Sequence, residues 1–208
     1  MHMDTDVLKR IEVAGRTCYK SEGRITDDSA IKFTKSLINR GHLSVVEHAN
    51  ATVKFIIDTG ISHELVRHRL CAFSQESSRY VDYKDEVQFI IPPWFDIEEG
   101  VYYWSTIKRC EDMGLREWMG CLLYIEDTYH YLRNNGHTPQ QARAVLPKAL
   151  KTEIVVTTNM REWRHIFQLR TSKAAHPQMQ EIMKPLLSEF NTRIPILFED
   201  IINNDSQN

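Results

Sequence analysis

Glycine is scarce in this chain, and where it occurs it builds no phosphate cradle. The 8 glycines among 208 residues form neither G-x-G-x-x-G nor a P-loop, so no glycine-rich strand–helix turn of either kind is expected. Cysteine is sparser still. Cys18, Cys71, Cys110 and Cys121 are scattered with no Cys-x-x-Cys pair, which argues against a disulfide frame or a zinc site and for reduced, packing thiols in a cytosolic protein. No apolar run approaches the roughly 20 residues that span a bilayer. Met1 to Glu22 is polar and charged without an apolar h-region, so no signal peptide is expected. A net charge of −2 leaves no broad basic face for a general polyanion binder; a small ligand carrying one or two phosphates remains compatible. Repeats, low-complexity tracts and linkers are absent as well. With 42% hydrophobic residues, the length suits one well-buried domain or a small two-lobed one, and we read 1–208 as a single domain.

What the chain has instead is arginine set among small polar groups. Residues 67–80 read Arg67-His68-Arg69-Leu70-Cys71-Ala72-Phe73-Ser74-Gln75-Glu76-Ser77-Ser78-Arg79-Tyr80. Ile61, Leu65 and Val66 recur at helical spacing and predict a short helix over 62–69 that runs out into a polar loop. Guanidinium forks bind phosphate or carboxylate in bidentate fashion better than lysine does, and neighbouring hydroxyls and loop amides can complete an anion cradle. The helix dipole accounts for Arg67 and Arg69 at a helix end, by about 0.3–1 kcal/mol each. It does not account for Arg79 or for the hydroxyls before it.

Elsewhere the periodicity alternates between helix and strand. Val7, Leu8, Ile11 and Ala14 predict a helix over 4–14, and Ile31, Leu37 and Ile38 a second one after Thr26-Asp27-Asp28, stopped by Gly41. Val53, Phe55 and Ile57 alternate with Thr52, Lys54 and Ile56, a half-buried strand over 51–57. Val87 to Ile91 reads as another strand, closed by Pro92-Pro93. The pattern from Glu98 to Asn135 is helical, with Leu115, Trp118, Leu122, Ile125, Tyr129 and Leu132 as a stripe suited to core or subunit interface. Thr138-Pro139-Gln140-Gln141 is a capping box opening a short helix to Leu146. Thr152 to Thr158 is β-branched and reads as a strand. Asn159 then caps a helix that displays Arg161, Arg164, His165 and Arg170. A last helix carries Met179, Met183, Leu187 and Phe190, with Pro185 inside it, and Asn203 to Asn208 is polar and expected to fray. These elements predict an α+β fold: a mostly antiparallel sheet flanked by long helices.

Arg-His-Arg, seven residues, then Ser is the signature of the flavin-dependent thymidylate synthases, and Arg67-His68-Arg69…Ser77 resembles it closely. Ser78-Arg79-Tyr80 resembles its continuation. Further likeness lies in His42-Leu43-Ser44 before Glu47-His48, in Ala142-Arg143-Ala144-Val145-Leu146-Pro147, in Asn159, Arg161 and His165, in Leu169-Arg170-Thr171, and in Ala175-His176-Pro177-Gln178. The resemblance covers roughly 41–178. It implies synthesis of dTMP by reductive methylation of dUMP, with methylenetetrahydrofolate as carbon donor, bound FAD as redox cofactor and NADPH as reductant. It also implies a homotetramer with sites between subunits. Any flavin would be held without a Rossmann crevice, its phosphates meeting arginines and helix N-termini.

The same resemblance assigns roles residue by residue. His42, Ser44, Arg67, His68, Arg69, Gln75, Asn159, Arg161 and His165 face FAD. Glu64, Arg67, Gln75, Glu76, Ser77, Ser78, Arg79, Arg143 and Arg170 meet dUMP; we expect Arg170, which the resemblance sets against the base, to be the catalytic group that stabilises charge on the uracil ring. Cys71, inside the signature, is a tempting nucleophile for the base. Its apolar neighbours Leu70, Ala72 and Phe73 predict instead a packed thiol with a raised pKa. Two other readings stand beside this one. His42, Glu47 and His48 could serve a metal-dependent nucleotide phosphohydrolase, although the spacing puts no two ligands one helical turn apart. The arginine loop could also belong to a non-catalytic RNA- or nucleotide-binding module.

Overall fold

The computed structural model describes residues 1–3 and 6–205, and the side chains of 1–3 and 6–203. Asp4 and Thr5, where the first helix was expected to begin, and 206–208 of the polar end lie outside the described residues. In chain order the elements are β1 (His2–Met3), α1 (Val7–Cys18), α2 (Ser29–Asn39), a 3-10 segment (Leu43–His48), β2 (Asn50–Asp58), α3 (Thr59–Leu65), β3 (Ala72–Gln75), α4 (Trp104–Ile107) and α5 (Met113–Asn134). There follow α6 (Pro139–Ala142) with a 3-10 turn (Arg143–Val145), β4 (Lys151–Asn159), α7 (Met160–Arg170), α8 (Pro177–Arg193) and α9 (Pro195–Asp205). The four strands form one antiparallel sheet in the order β1-β2-β4-β3, and helix makes up 54% of the structure. At one edge His2 pairs with Thr52 and Met3 with Ala51. The α+β class read from the pattern is therefore the observed one.

The sequence dictates these elements through local chemistry. In β2, Val53, Phe55 and Ile57 are buried while Lys54 and Ile56 face out, which is the period of two that a pleated strand imposes. Asp58 closes β2 and starts α3, its carboxylate accepting the Ile61 N–H at 2.6 Å. Two helices end on glycine in the left-handed region. Gly41 at φ 70° and Gly136 at φ 87° follow α2 and α5. In each case the next residue closes the turn, His42 N–H to Leu37 C=O at 2.9 Å and His137 N–H to Leu132 C=O at 3.1 Å, the Schellman pattern that only glycine enters without strain.

Two compact units share the chain. The first comprises Met1–Lys54, Val66–Phe73 and Val155–Asn208; the second comprises Phe55–Leu65 and Ser74–Ile154. The first is centred on aromatic rings of α7, α8 and α9. Phe190 lies 5.2 Å from Trp163, 5.1 Å from Phe167 and 5.3 Å from Phe198 between ring centroids, and all four are fully buried. Such offset and edge-on pairs add about 0.5–1.5 kcal/mol each beyond their area. The second unit packs α5 through Tyr129 onto Val87, Ala142 and Leu150, and through Leu115 and Met119 onto Ile107.

Four expectations need correction. The long helical stretch is two helices, α4 and α5, with 108–112 between them. Val87 to Ile91 is no strand: one bridge, Phe89 to Leu150, is all it forms, since Pro92-Pro93 offers no ladder donor beyond it. Helix α3 stops at Leu65, not at Arg69. The stretch after it is not wholly loop, because Ala72–Gln75 adds an edge strand.

Candidate functional site

In the first unit, the turn after α3 sets the Arg-His-Arg triplet out, in and out. Arg67 and Arg69 are exposed, whereas His68 is 6% exposed. Two bonds hold this turn: Cys71 N–H donates to His68 C=O at 3.2 Å, and Thr158 Oγ1 of β4 donates to Leu70 C=O at 2.8 Å. A helix continuing to Arg69 would leave the His68 carbonyl without an intrahelical donor, as the last four of any helix are. The turn instead delivers the His68 ring to α7.

Helix α7 starts where Asn159 Oδ1 accepts the Glu162 N–H at 2.9 Å, the expected cap. The Glu162 carboxylate does not make the return bond to the cap N–H that a glutamate at this position favours. Glu162 Oε1 lies 3.3 Å from His68 Nδ1, and Arg170 Nε at the other end of α7 donates to His68 Nε2 at 3.1 Å. His165 stands edge-on to His68, with ring centroids 6.0 Å apart. Burial, and then the Arg170 guanidinium, push the His68 pKa down against the raising effect of Glu162, so the ring is neutral near neutral pH. The sign has a consequence for stability. A depressed pKa contributes stability above the ordinary value of about 6.5 that is lost as the pH falls through the folded value; unfolding midpoints should therefore drop in mildly acidic buffer, and His68→Gln should reduce that pH dependence.

Beside this cluster a groove of about 440 Å³ is lined by Leu43, Glu47, Leu70, Asn159, Arg161 and His165, among others, within the range of small-ligand pockets. Arg161 reaches Glu47 of the 3-10 segment at 2.5 Å. His42 and Ser44, at that segment's start, are exposed. The residues that the resemblance gives to flavin thus fall in the first unit, except Gln75. Arg164, expected on the displayed face with them, is buried. It forms a bidentate pair with Asp200 of α9 at 2.8 and 2.6 Å; burial alone would raise Asp200, and these bonds outweigh it and hold its pKa down.

The nucleotide residues fall mainly in the second unit. Gln75 Nε2 donates to Ser62 Oγ at 3.0 Å and to Thr152 Oγ1 at 3.2 Å, so its amide is fixed from two elements. Glu76 is held twice: its N–H donates to Glu153 C=O at 2.8 Å, and its carboxylate accepts the Tyr83 hydroxyl at 2.6 Å. Burial, and then that bond, raise the Tyr83 pKa, so the phenol keeps its proton. Ser77 and Ser78 are half-buried in the turn that follows, and Tyr80 N–H donates to Ser77 C=O at 3.0 Å. Arg79 is exposed over the Tyr80 ring at 5.4 Å, Arg143 is exposed at the start of its 3-10 turn, and Glu64 is half-buried on α3. Arg67 and Arg170 of the nucleotide set lie instead in the first unit.

Two residues that sequence reasoning passed over belong here. Neither Glu162 nor Tyr83 belongs to a motif; Glu162 is identified by its contact with the distant His68, and Tyr83 by its bond to Glu76 seven residues before it. As for metal, His42, Glu47 and His48 do not assemble a ligand group, since Glu47 is committed to Arg161. Among the described residues the only group with metal-ligand proximity is His68, Glu162 and His165, with ligand atoms within 4.8 Å of one another. Arg170 occupies the Nε2 lone pair of His68 and places a fixed positive charge beside it, which disfavours a cation. Cys71 is half-buried, and burial raises its pKa, as its apolar neighbours predict.

The first unit of this antiparallel α+β fold thus gathers the imidazoles of His68 and His165 and the guanidinium groups of Arg161 and Arg170 along one helix, beside a groove. The chain belongs to the Thymidylate synthase complementing protein family, whose family model matches residues 1–196. It is similar to flavin-dependent thymidylate synthases from Mycobacteroides abscessus and Mycobacterium tuberculosis, each 34% identical over 91% of this chain and 78% of the relative. The relative from Mycolicibacterium vanbaalenii is 36% identical over the same shares. Among solved structures, thymidylate synthase X from Helicobacter pylori with FAD and dUMP aligns at a TM-score of 0.75 and 23% identity, covering 96% of this chain and 95% of that one, a likeness of fold. No helix among the described residues is long and apolar enough to cross a membrane.

Proposed function

We propose that this chain makes dTMP from dUMP, taking carbon from methylenetetrahydrofolate and reducing power from NADPH through bound FAD, as a cytoplasmic enzyme with no cysteine nucleophile. The observation that carries the reading is the 3.1 Å bond between Arg170 and His68. It joins the residue assigned to the uracil ring with the middle of the Arg-His-Arg signature, from positions distant in sequence.

The residues fit FAD. Its diphosphate suits the exposed Arg67, Arg69 and Arg161 and the N-terminus of α7, where Asn159 orders the first turn. When bound, FAD supplies the redox step between NADPH and the folate-borne carbon. The chain's own part is orientation and electrostatics. Arg79, Arg143, Ser77 and Ser78 hold phosphate and sugar by charge-assisted bonds. Gln75, clamped by Ser62 and Thr152, and Glu76, clamped by Tyr83, sit between nucleotide and flavin, with Glu64 beside the nucleotide. His42 and Ser44 serve the flavin and folate side. Arg170 stabilises the negative charge that develops on the ring as carbon is attached, and His68 stays neutral beneath it. A homotetramer with sites between subunits is part of the proposal. In its favour, α5 exposes Met113, Tyr124 and Tyr131 at 67%, 69% and 66%, with the two tyrosines one heptad apart on a single face.

The test is direct. Purified protein should show flavin absorption bands, release FAD on denaturation, and form dTMP from dUMP, folate and NADPH. Protein that stays colourless with added FAD and makes no dTMP would refute the proposal. Two variants refine it. Cys71→Ser should keep turnover within about threefold, because an inert packed thiol contributes no chemistry; abolished turnover would restore the nucleophile. Arg143→Ala should weaken dUMP binding by about 1.5–3 kcal/mol, the worth of a hydrogen bond to a charged group, measured by titration of the flavin spectrum. An unchanged affinity would remove Arg143 from the phosphate.

A further inference from the structure

Glu162 is 8% exposed at the third position of α7, where a glutamate ordinarily reaches back to the N–H of the cap residue. Its Oε1 lies instead 3.3 Å from His68 Nδ1, while His68 Nε2 receives the Arg170 Nε–H at 3.1 Å. A guanidinium N–H can only donate, so Nε2 holds the lone pair and the ring proton sits on Nδ1, facing the carboxylate. In water a neutral histidine favours the opposite tautomer. With the proton on Nε2, two donors would point at each other and the bond to Arg170 would break. Nε is also the nitrogen that joins the guanidinium plane to its stem, so a bond there fixes the orientation of the whole group. The charged and titratable groups facing His68 are Arg170, Glu162 and His165.

We propose that Glu162 is a positioning residue: it holds His68 in the Nδ1–H tautomer, and His68 in turn fixes the plane of the Arg170 guanidinium. The consequence for turnover rests on the role given to Arg170 above; the tautomer does not.

The experiment reads both. Ligand-free protein labelled with 15N in histidine is examined by ring-nitrogen NMR in mildly alkaline buffer, His68 being the signal pair missing from His68→Asn. Wild type should show a proton on Nδ1 and a lone pair on Nε2. Glu162→Ala should move the proton to Nε2, and Glu162→Gln, whose amide oxygen accepts the same bond, should keep it on Nδ1. With FAD loaded, Glu162→Ala should lower kcat by about tenfold or more while the KM for dUMP moves less than about threefold, and Glu162→Gln should recover most of the loss. An Nε2–H ring in wild type overturns the proposal even if Glu162→Ala does not fold, as does an Nδ1–H ring that persists in Glu162→Ala. A tautomer shift with unchanged kcat overturns the link to Arg170. Wild-type protein that makes no dTMP would overturn the assigned function, and the NMR result would still decide the tautomer.

Discussion

Arg170→Ala is expected to keep FAD bound and to slow dUMP-dependent oxidation of reduced flavin by about 10²–10³-fold, the cost of removing one preorganised donor from a developing anion, or about 2.7–4 kcal/mol. The size follows from placement. Arg170 ends α7, is half-buried, and is anchored at Nε, so it requires little reorganisation when charge appears. The flavin should remain because Arg67, His68, Arg69, Asn159, Arg161 and His165 stay in place. Lysine should rescue poorly: its ammonium is a point charge on a flexible stem and cannot reproduce the Nε bond. Stopped-flow mixing of prereduced variant with dUMP and folate measures the step. Wild-type rates in Arg170→Ala would remove Arg170 from the chemistry.

Much of the fold was legible because local rules and tertiary packing agree. The alternation in β2, the capping box at Thr138 and the cap at Asn159 are properties of a few adjacent residues, and the structure realises all three. The α5 stripe was legible too: Leu115, Leu122 and Tyr129 are buried at spacings of seven. Two of the misreadings trace to a partner far away in sequence. Nothing near Arg69 says that the helix must stop at Leu65; the reason is Thr158 and Glu162, which take the Leu70 carbonyl and the His68 ring. Arg164 lies about 100° from His165 around α7, close enough to be taken for the same face, and only Asp200 on another helix draws it inside. The edge strand Ala72–Gln75 is mostly exposed and carries no buried alternation to announce it. Of the candidate site, the signature named its cations, but the bonds that hold His68, Gln75 and Glu76 run through Glu162, Ser62, Thr152 and Tyr83, which no motif contains.

Phe190→Ala should have the largest effect on stability, destabilising the fold by about 3–5 kcal/mol, the range for deleting a buried phenyl ring. Phe190 is fully buried on α8 and touches Trp163 and Phe167 of α7 and Phe198 of α9, so three helices lose a shared contact and a ring-sized cavity opens between them. Ile31→Ala on α2, at a side chain 56% exposed, should stay within about 0.5 kcal/mol. Urea unfolding of both variants at fixed pH gives the comparison. The effect should also reach the site. Trp163 and Phe167 form the inner face of the helix whose outer face carries Arg161 and His165, and whose ends carry Asn159 and Arg170. Loosened packing on one side therefore loosens the geometry on the other, and FAD should dissociate at lower denaturant than the fold is lost, with the gap wider in Phe190→Ala than in wild type. Destabilisation below about 1 kcal/mol would mean that the neighbouring helices close over the missing ring, and that α7 is held from elsewhere.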